Sequence, residues 1–183
     1  MSDTLLTHIA PTGAYTPPPA GDQNAVLVDV FVIKDEPTKW GNKNHVYFYF
    51  ETEAKMDDGR PFLASCKFTA SMNSKANLPK FISKWTGKNL AQGESIELKS
   101  LIGKGAILEI EHQVSQTSGN TYAKIDRARP VDANKALAPS GDYDGSHIRK
   151  RAEERAEERR QQEGYDSADP APTVRTDDDD VPF

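Results

Sequence analysis

In the stretch HVYFYFE (45–51), Val46, Phe48 and Phe50 alternate with His45, Tyr47, Tyr49 and Glu51. Successive side chains of a strand point to opposite faces, so the first set can enter a core while two phenol rings stand among polar neighbours on the other face. A ring in that position offers a flat surface on which any nucleobase can stack, for about 1–3 kcal/mol per base, and nearby cations neutralise phosphates. Cations are close at hand: Trp40 lies between Lys39 and Lys43, Lys67 falls on the polar face of a later apolar run, and Tyr122 is two residues from Lys124. Lys39, Trp40, Lys43, Tyr47, Tyr49, Lys67, Tyr122 and Lys124 are therefore the candidate contacts for a single nucleic-acid strand. Trp85 shares helical spacing with Leu78 and Ile82 and is assigned to the core instead.

Other chemistries find little support. The histidines His8, His45, His112 and His147 are scattered, with no close-spaced Cys, Asp or Glu set of the kind zinc requires. No nucleophile elbow, Gly-rich phosphate loop or C-x-x-C is present. Asp57 and Asp58 precede Gly59 and read as turn formers rather than a metal pair. No catalytic residue, metal or cofactor is expected. The single cysteine, Cys66, sits in an apolar run and reads as a small buried hydrophobe.

These candidates need a frame. Residues 1–24, with Pro17-Pro18-Pro19, read as a flexible leader. AVLVDVFVIK (25–34) is a strand packed on both faces, because apolar residues occupy odd and even positions alike. Residues 45–54 form a second strand and 61–71, after the Asp58-Gly59 hairpin signal, a third. There Phe62, Ala64, Cys66 and Phe68 share one face and Ser65, Lys67 and Thr69 the other. NLPKFISKWTGKNL (77–90) has Leu78, Phe81, Ile82 and Trp85 at helical spacing, Asn77 as the N-cap and Gly87 as the stop. Residues 103–115 and 120–129 make a strand pair. The order β-β-β-α-β-β over 25–132 predicts a mainly β domain, a five-stranded OB-fold barrel with its helix between strands three and four. The charged segment 145–163 has opposite-charge pairs such as Arg149–Glu153 and Lys150–Glu154 but almost no apolar stripe. It reads as a polar spacer, at best a solvated helix, within a linker of 133–176.

The formal net charge is −5, yet residues 164–183 alone hold six acids against Arg175, leaving 22 basic and 22 acidic side chains in the first 163. Within that balanced body, Lys67 to Gly93 carries five lysines and no acid. No apolar run approaches the ~20 residues of a membrane span, and residues 1–21 lack the regions of a signal peptide, which points to a soluble intracellular protein. The chain ends in an acidic tip, 177–183: Asp177, Asp178, Asp179, Asp180, then Val181, Pro182 and Phe183.

DDDDVPF is similar to the acidic tip of bacterial single-stranded-DNA-binding proteins, in which an Asp run precedes an aliphatic residue, Pro and a terminal Phe. The body departs from those proteins and looks more like phage-encoded members of the class, through DDGRPFLASCKFTASMNSKANLPKFISKWTGK and LIGKGAILEIEHQVSQTSGNTYAKIDRARPV. The resemblance implies a protein of phage DNA replication or recombination, in the cytoplasm of an infected bacterium, that coats transient single strands and recruits replication proteins. It further implies that Phe183 anchors a partner's apolar pocket, that Val181 and Pro182 shape its approach, and that Asp177 to Asp180 steer it toward basic surfaces. The alternatives are an OB-fold adaptor that binds proteins and no DNA, and a nuclease using acids such as Asp57. Edge strands leave pairing between copies open.

Overall fold

A computed structural model describes residues 16–90 and 95–166. Five strands, β1 (Gly21–Glu36), β2 (Lys43–Lys55), β3 (Pro61–Thr69), β4 (Gly105–Val114) and β5 (Thr121–Arg129), form one antiparallel sheet in the order β3-β2-β1-β4-β5. Helix α1 (Asn77–Thr86) lies between β3 and β4 in the chain, and α2 (Ser146–Asp166) follows β5. The expected order of elements is thus observed. The strands at the two ends of the sheet, β3 and β5, approach each other with α1 against both. No hydrogen-bonded ladder joins them among the described residues, so the sheet is curled but not closed.

The core lies between the sheet's inner face and α1. Ala25, Leu27 and Val30 of β1, Val46, Phe48 and Phe50 of β2, and Leu108 and Ile110 of β4 meet Leu78, Ile82 and Trp85 of α1 there. Trp85 packs edge-on to Phe48 and Phe50, at centroid distances of 6.4 and 5.3 Å, and its indole N–H donates to the Gly105 carbonyl at 2.9 Å. Its polar edge is satisfied as burial requires. Cys66 packs against this core, and burial pushes its thiol upward, keeping it protonated. Asn77 is the first helical residue rather than the N-cap: Ala76 holds that position with extended backbone and no side-chain cap. Gly87 ends α1 as expected, with the positive φ of 69° that favours glycine.

Two register shifts in β1 set which residues leave the core. Val28 is an extra residue between Leu27, opposite Phe50, and Asp29, opposite Tyr49. A bulge of this kind reverses the alternation, so Val30 points inward while Asp29 and Phe31 turn to the outer face. A second shift lies between Ile33 and Glu36, where Asp35 adopts a φ of 51° and its N–H is held by Asn44 Oδ1 at 3.0 Å. The mixed spacing of apolar residues in β1 follows from the bulge and from what covers the outer face.

That cover is α2. Far from a solvated spacer, it lies along β1 with Ala156 fully buried and Ile148 and Ala152 half-buried at four-residue spacing. Alanines give α2 little hydropathy, but they let it approach the sheet closely. The leader also joins the domain sooner than expected: Pro18 is fully buried, its carbonyl lies 2.8 Å from His112 Nε2, and β1 begins at Gly21. Asp58 does form its turn, receiving Arg60's backbone N–H at 3.0 Å and its Nε at 2.8 Å. No helix among the described residues is long and apolar enough to cross a membrane.

Candidate nucleic-acid interface

Three carboxylates on the outer face of β1 and β2 have almost no exposed surface: Asp29 at 0 %, Glu36 at 2 % and Glu51 at 5 %. A buried carboxylate is tolerated only with good partners, and residues 140–159 supply partners to all three. Arg149 holds Asp29 with two guanidinium nitrogens, Nε at 3.0 Å from Oδ2 and the second on Oδ1, while the Tyr143 hydroxyl donates to Oδ2 at 3.0 Å. Ser140 donates both its N–H and its hydroxyl to Glu51, each at 2.7 Å. Arg159 reaches Glu36 Oε1 at 2.8 Å. Gly145 is required where the chain turns into α2, because a Cβ there would collide with Asp29 and with the Tyr143 ring.

Glu36 is also the hub of the β2–β3 side. Lys67 Nζ donates to it at 3.0 Å and the Tyr47 hydroxyl at 2.9 Å. His45 Nδ1 lies 2.9 Å away, at ion-pair distance but outside hydrogen-bond alignment. Burial alone would raise the Glu36 carboxyl; the Lys67 and Tyr47 hydrogen bonds outweigh it and hold the group below its ordinary value. Burial, with the Lys67 charge, pushes His45 down against the pull of Glu36, so its ring is neutral near pH 7. Tyr47 is raised by burial and by its bond to Glu36.

The two tyrosines singled out from sequence stand together on this face, joined by Phe31, which sequence reasoning passed over. Phe31 stacks on Tyr47 at 5.3 Å and on Tyr49 at 5.7 Å, with interplanar angles of 7° and 10°. Lys67 Nζ lies 5.5 Å over the Tyr47 ring and the Arg149 guanidinium 5.7 Å over Phe31. Tyr47, Tyr49 and Lys67 are thus brought together, but the two tyrosines lie under the edge of α2 and not on an open face. Between them and the helix runs a groove of about 340 Å³, lined by Glu36, Tyr47, Tyr49, His147, Ile148, Arg151, Ala152, Arg155 and Arg159. His147, Arg151, Arg155 and Arg159 recur every four residues, which places them along one side of α2. Three arginines face one carboxylate there, and that carboxylate already has its own partners.

The other candidates stand apart. Trp40 is the most exposed large apolar side chain described, at 76 %, on a loop closed by the Thr38 hydroxyl on the Gly41 carbonyl at 2.7 Å. Lys39 Nζ sits 5.1 Å over its ring. Lys43 opens β2, exposed, in register with Glu36. Tyr122 and Lys124 lie on β5, where the Tyr122 hydroxyl donates to Gln113 at 3.0 Å and Lys124 comes within 4.0 Å of Asp126. No ring contact or side-chain hydrogen bond or ion pair among the described residues links them to the Tyr47 cluster. Asp177 to Phe183 lie outside the described residues.

Sequence held two signals for the missed residues. Asp29 interrupts the valine run VLVDVFVI, and a carboxylate inside such a run demands a cation. The stripe 147, 151, 155, 159 was equally visible as a spacing. Among the described residues, no group of three or more His, Cys, Asp or Glu could hold a metal ion. No protein-family model matches the chain and no curated protein matches it, so the residues themselves carry the functional argument.

Proposed function

We propose that this chain is a non-enzymatic, sequence-tolerant single-stranded-DNA-binding protein of phage replication or recombination, built on an OB-type barrel. The observation that carries the reading is the groove with two tyrosines on its floor and arginines along its wall, since stacking surfaces beside cations are what a sequence-tolerant binder of single strands needs. Trp40, exposed under Lys39, adds a stacking surface of the same kind. The barrel reading is supported by the pairing of β1 with both β2 and β4, and by α1 lying where β3 and β5 converge. The acidic tip, Asp177 to Phe183, would dock replication proteins.

Titration of the full-length protein with oligo-dT tests this. Tryptophan quenching and an affinity that falls with salt are expected; equal or stronger binding to duplex of the same length would sink it. The partial cover of Tyr47 and Tyr49 by α2 favours a second reading, an adaptor that binds proteins and no DNA. It would show no oligo-dT binding at moderate salt, with capture of partners still lost on deletion of 177–183.

A further inference from the structure

We propose that Arg151 and Arg155 of α2 are phosphate contacts, and that α2 is the fixed second wall of a channel through which a single strand passes over Tyr47 and Tyr49. The inference rests on the DNA-binding reading above and extends it to a helix that the sequence marks only as a spacer.

The arginines and the lysine of α2 whose side chains are described fall into two groups. Arg149 holds Asp29, Arg159 holds Glu36, Lys150 lies 3.9 Å from Glu154, and Arg160 lies 3.1 Å from Glu157. Arg151 and Arg155 are left, exposed and without a carboxylate partner among the described residues. They are also the two that face the groove between the anchored ends of the helix. Four residues of helix advance about 6 Å, so the two guanidinium groups form a short row along the groove rather than one point of charge. Arg151, Arg155 and Arg159 are also like charges at four-residue spacing, an arrangement that opposes helix formation unless something anionic lies along it.

The anchors decide between a wall and a lid. A helix meant to swing away would be held at one end. This one is tied near its start through Asp29 and ten residues later through Glu36, both buried, with Ala156 packed between. A strand would therefore enter a preformed channel. Polyanionic ligand and cationic wall are complementary in charge, and the tyrosines beneath supply flat surface for bases, which a free phosphate would not use.

The test is oligo-dT titration of the full-length protein at several salt concentrations, comparing the natural chain with R151Q/R155Q and R151K/R155K. The Gln pair should bind roughly tenfold or more weakly at low salt, and the slope of log affinity against log salt should shrink by about 1.4, two phosphates at about 0.7 each. The Lys pair should recover most of the affinity. Melting temperatures should be unchanged or slightly higher in the Gln pair, since neither arginine is paired and the like-charge repulsion along α2 is relieved. Failure of the natural chain to bind oligo-dT overturns the DNA-binding reading itself. Binding by the natural chain with unaltered affinity and slope in the Gln pair overturns only the role of α2. Tighter binding by the Gln pair would do the same, by making α2 an obstacle to DNA.

Discussion

Arg149 and Asp29 lie 120 residues apart in sequence, and the guanidinium of the first closes over a carboxylate with no exposed surface in the second. Removing one partner of a buried pair leaves a charge stranded, typically at about 3–5 kcal/mol, whereas replacing both by apolar groups is often neutral. Because Arg149 is itself half exposed, Arg149→Ala should cost about 3 kcal/mol in urea unfolding, and Asp29→Leu with Arg149→Leu distinctly less. A single mutant as stable as the natural chain would show that α2 is not held by this pair.

Gly145 gives an independent check of the same junction. A methyl group there meets Asp29 and the Tyr143 ring, and overpacking of this kind costs about 1–3 kcal/mol. Gly145→Ala should lower the melting temperature, and limited proteolysis should cut near 140–146 in the variant before the natural chain.

Acidification should loosen the outer face in two stages. His45 is depressed below its ordinary 6.5, so the unfolded chain takes up its proton first and stability declines as pH falls below about 6.5. Glu36 is depressed below its ordinary 4.5; its contribution is complete above that value and is lost as pH falls through the lower, folded one. Melting temperatures followed from about pH 7.5 down to about pH 3 should show both declines. His45→Gln should flatten the upper one and leave the lower in place; an unchanged profile would contradict the assignment.

Trp40 separates binding from stability. It packs on little besides Lys39, so Trp40→Ala should leave the melting temperature within about 1 °C of the natural value. If it stacks on a base, oligo-dT affinity should fall by about 1–3 kcal/mol and most of the tryptophan quenching should vanish, since Trp85 is buried. Retained quenching in the variant would place the signal on Trp85 and remove Trp40 from the interface.

A truncation ending at Thr176 should bind oligo-dT as well as or better than the full chain while losing capture of replication proteins. Loss of DNA binding on truncation would tie the two activities together and contradict a separable docking tip.

The sheet was readable because its rules are local. Alternation in 45–51 and 61–69, helical spacing in 78–85 and the glycine at 87 each report on neighbours a few residues away. The docking of α2 was not readable that way. Its contact stripe is Ile148, Ala152 and Ala156, too weakly apolar to register, and its grip is electrostatic between residues more than a hundred positions apart. Arg149, expected beside Glu153, goes instead to Asp29, because a carboxylate out of water binds a guanidinium more strongly than an exposed one does. Tyr47 and Tyr49 were correctly turned away from the core, but alternation says only which side a ring takes and nothing of what lies above it.

Val28 gives β1 a parity. Odd-numbered Ala25 and Leu27 enter the core before it, whereas odd-numbered Asp29 and Phe31 face outward after it. Deleting Val28 would leave Leu27 opposite Phe50 and Asp29 opposite Tyr49 as direct successors, so the Asp29 anchor and the Phe31 ring would keep their side. Drawing Val28 into a regular ladder opposite Tyr49 would instead send Asp29 and Phe31 inward and Val30 out, and would erase the helix's foothold without touching a single arginine. Register, more than any side chain, is what this surface cannot lose.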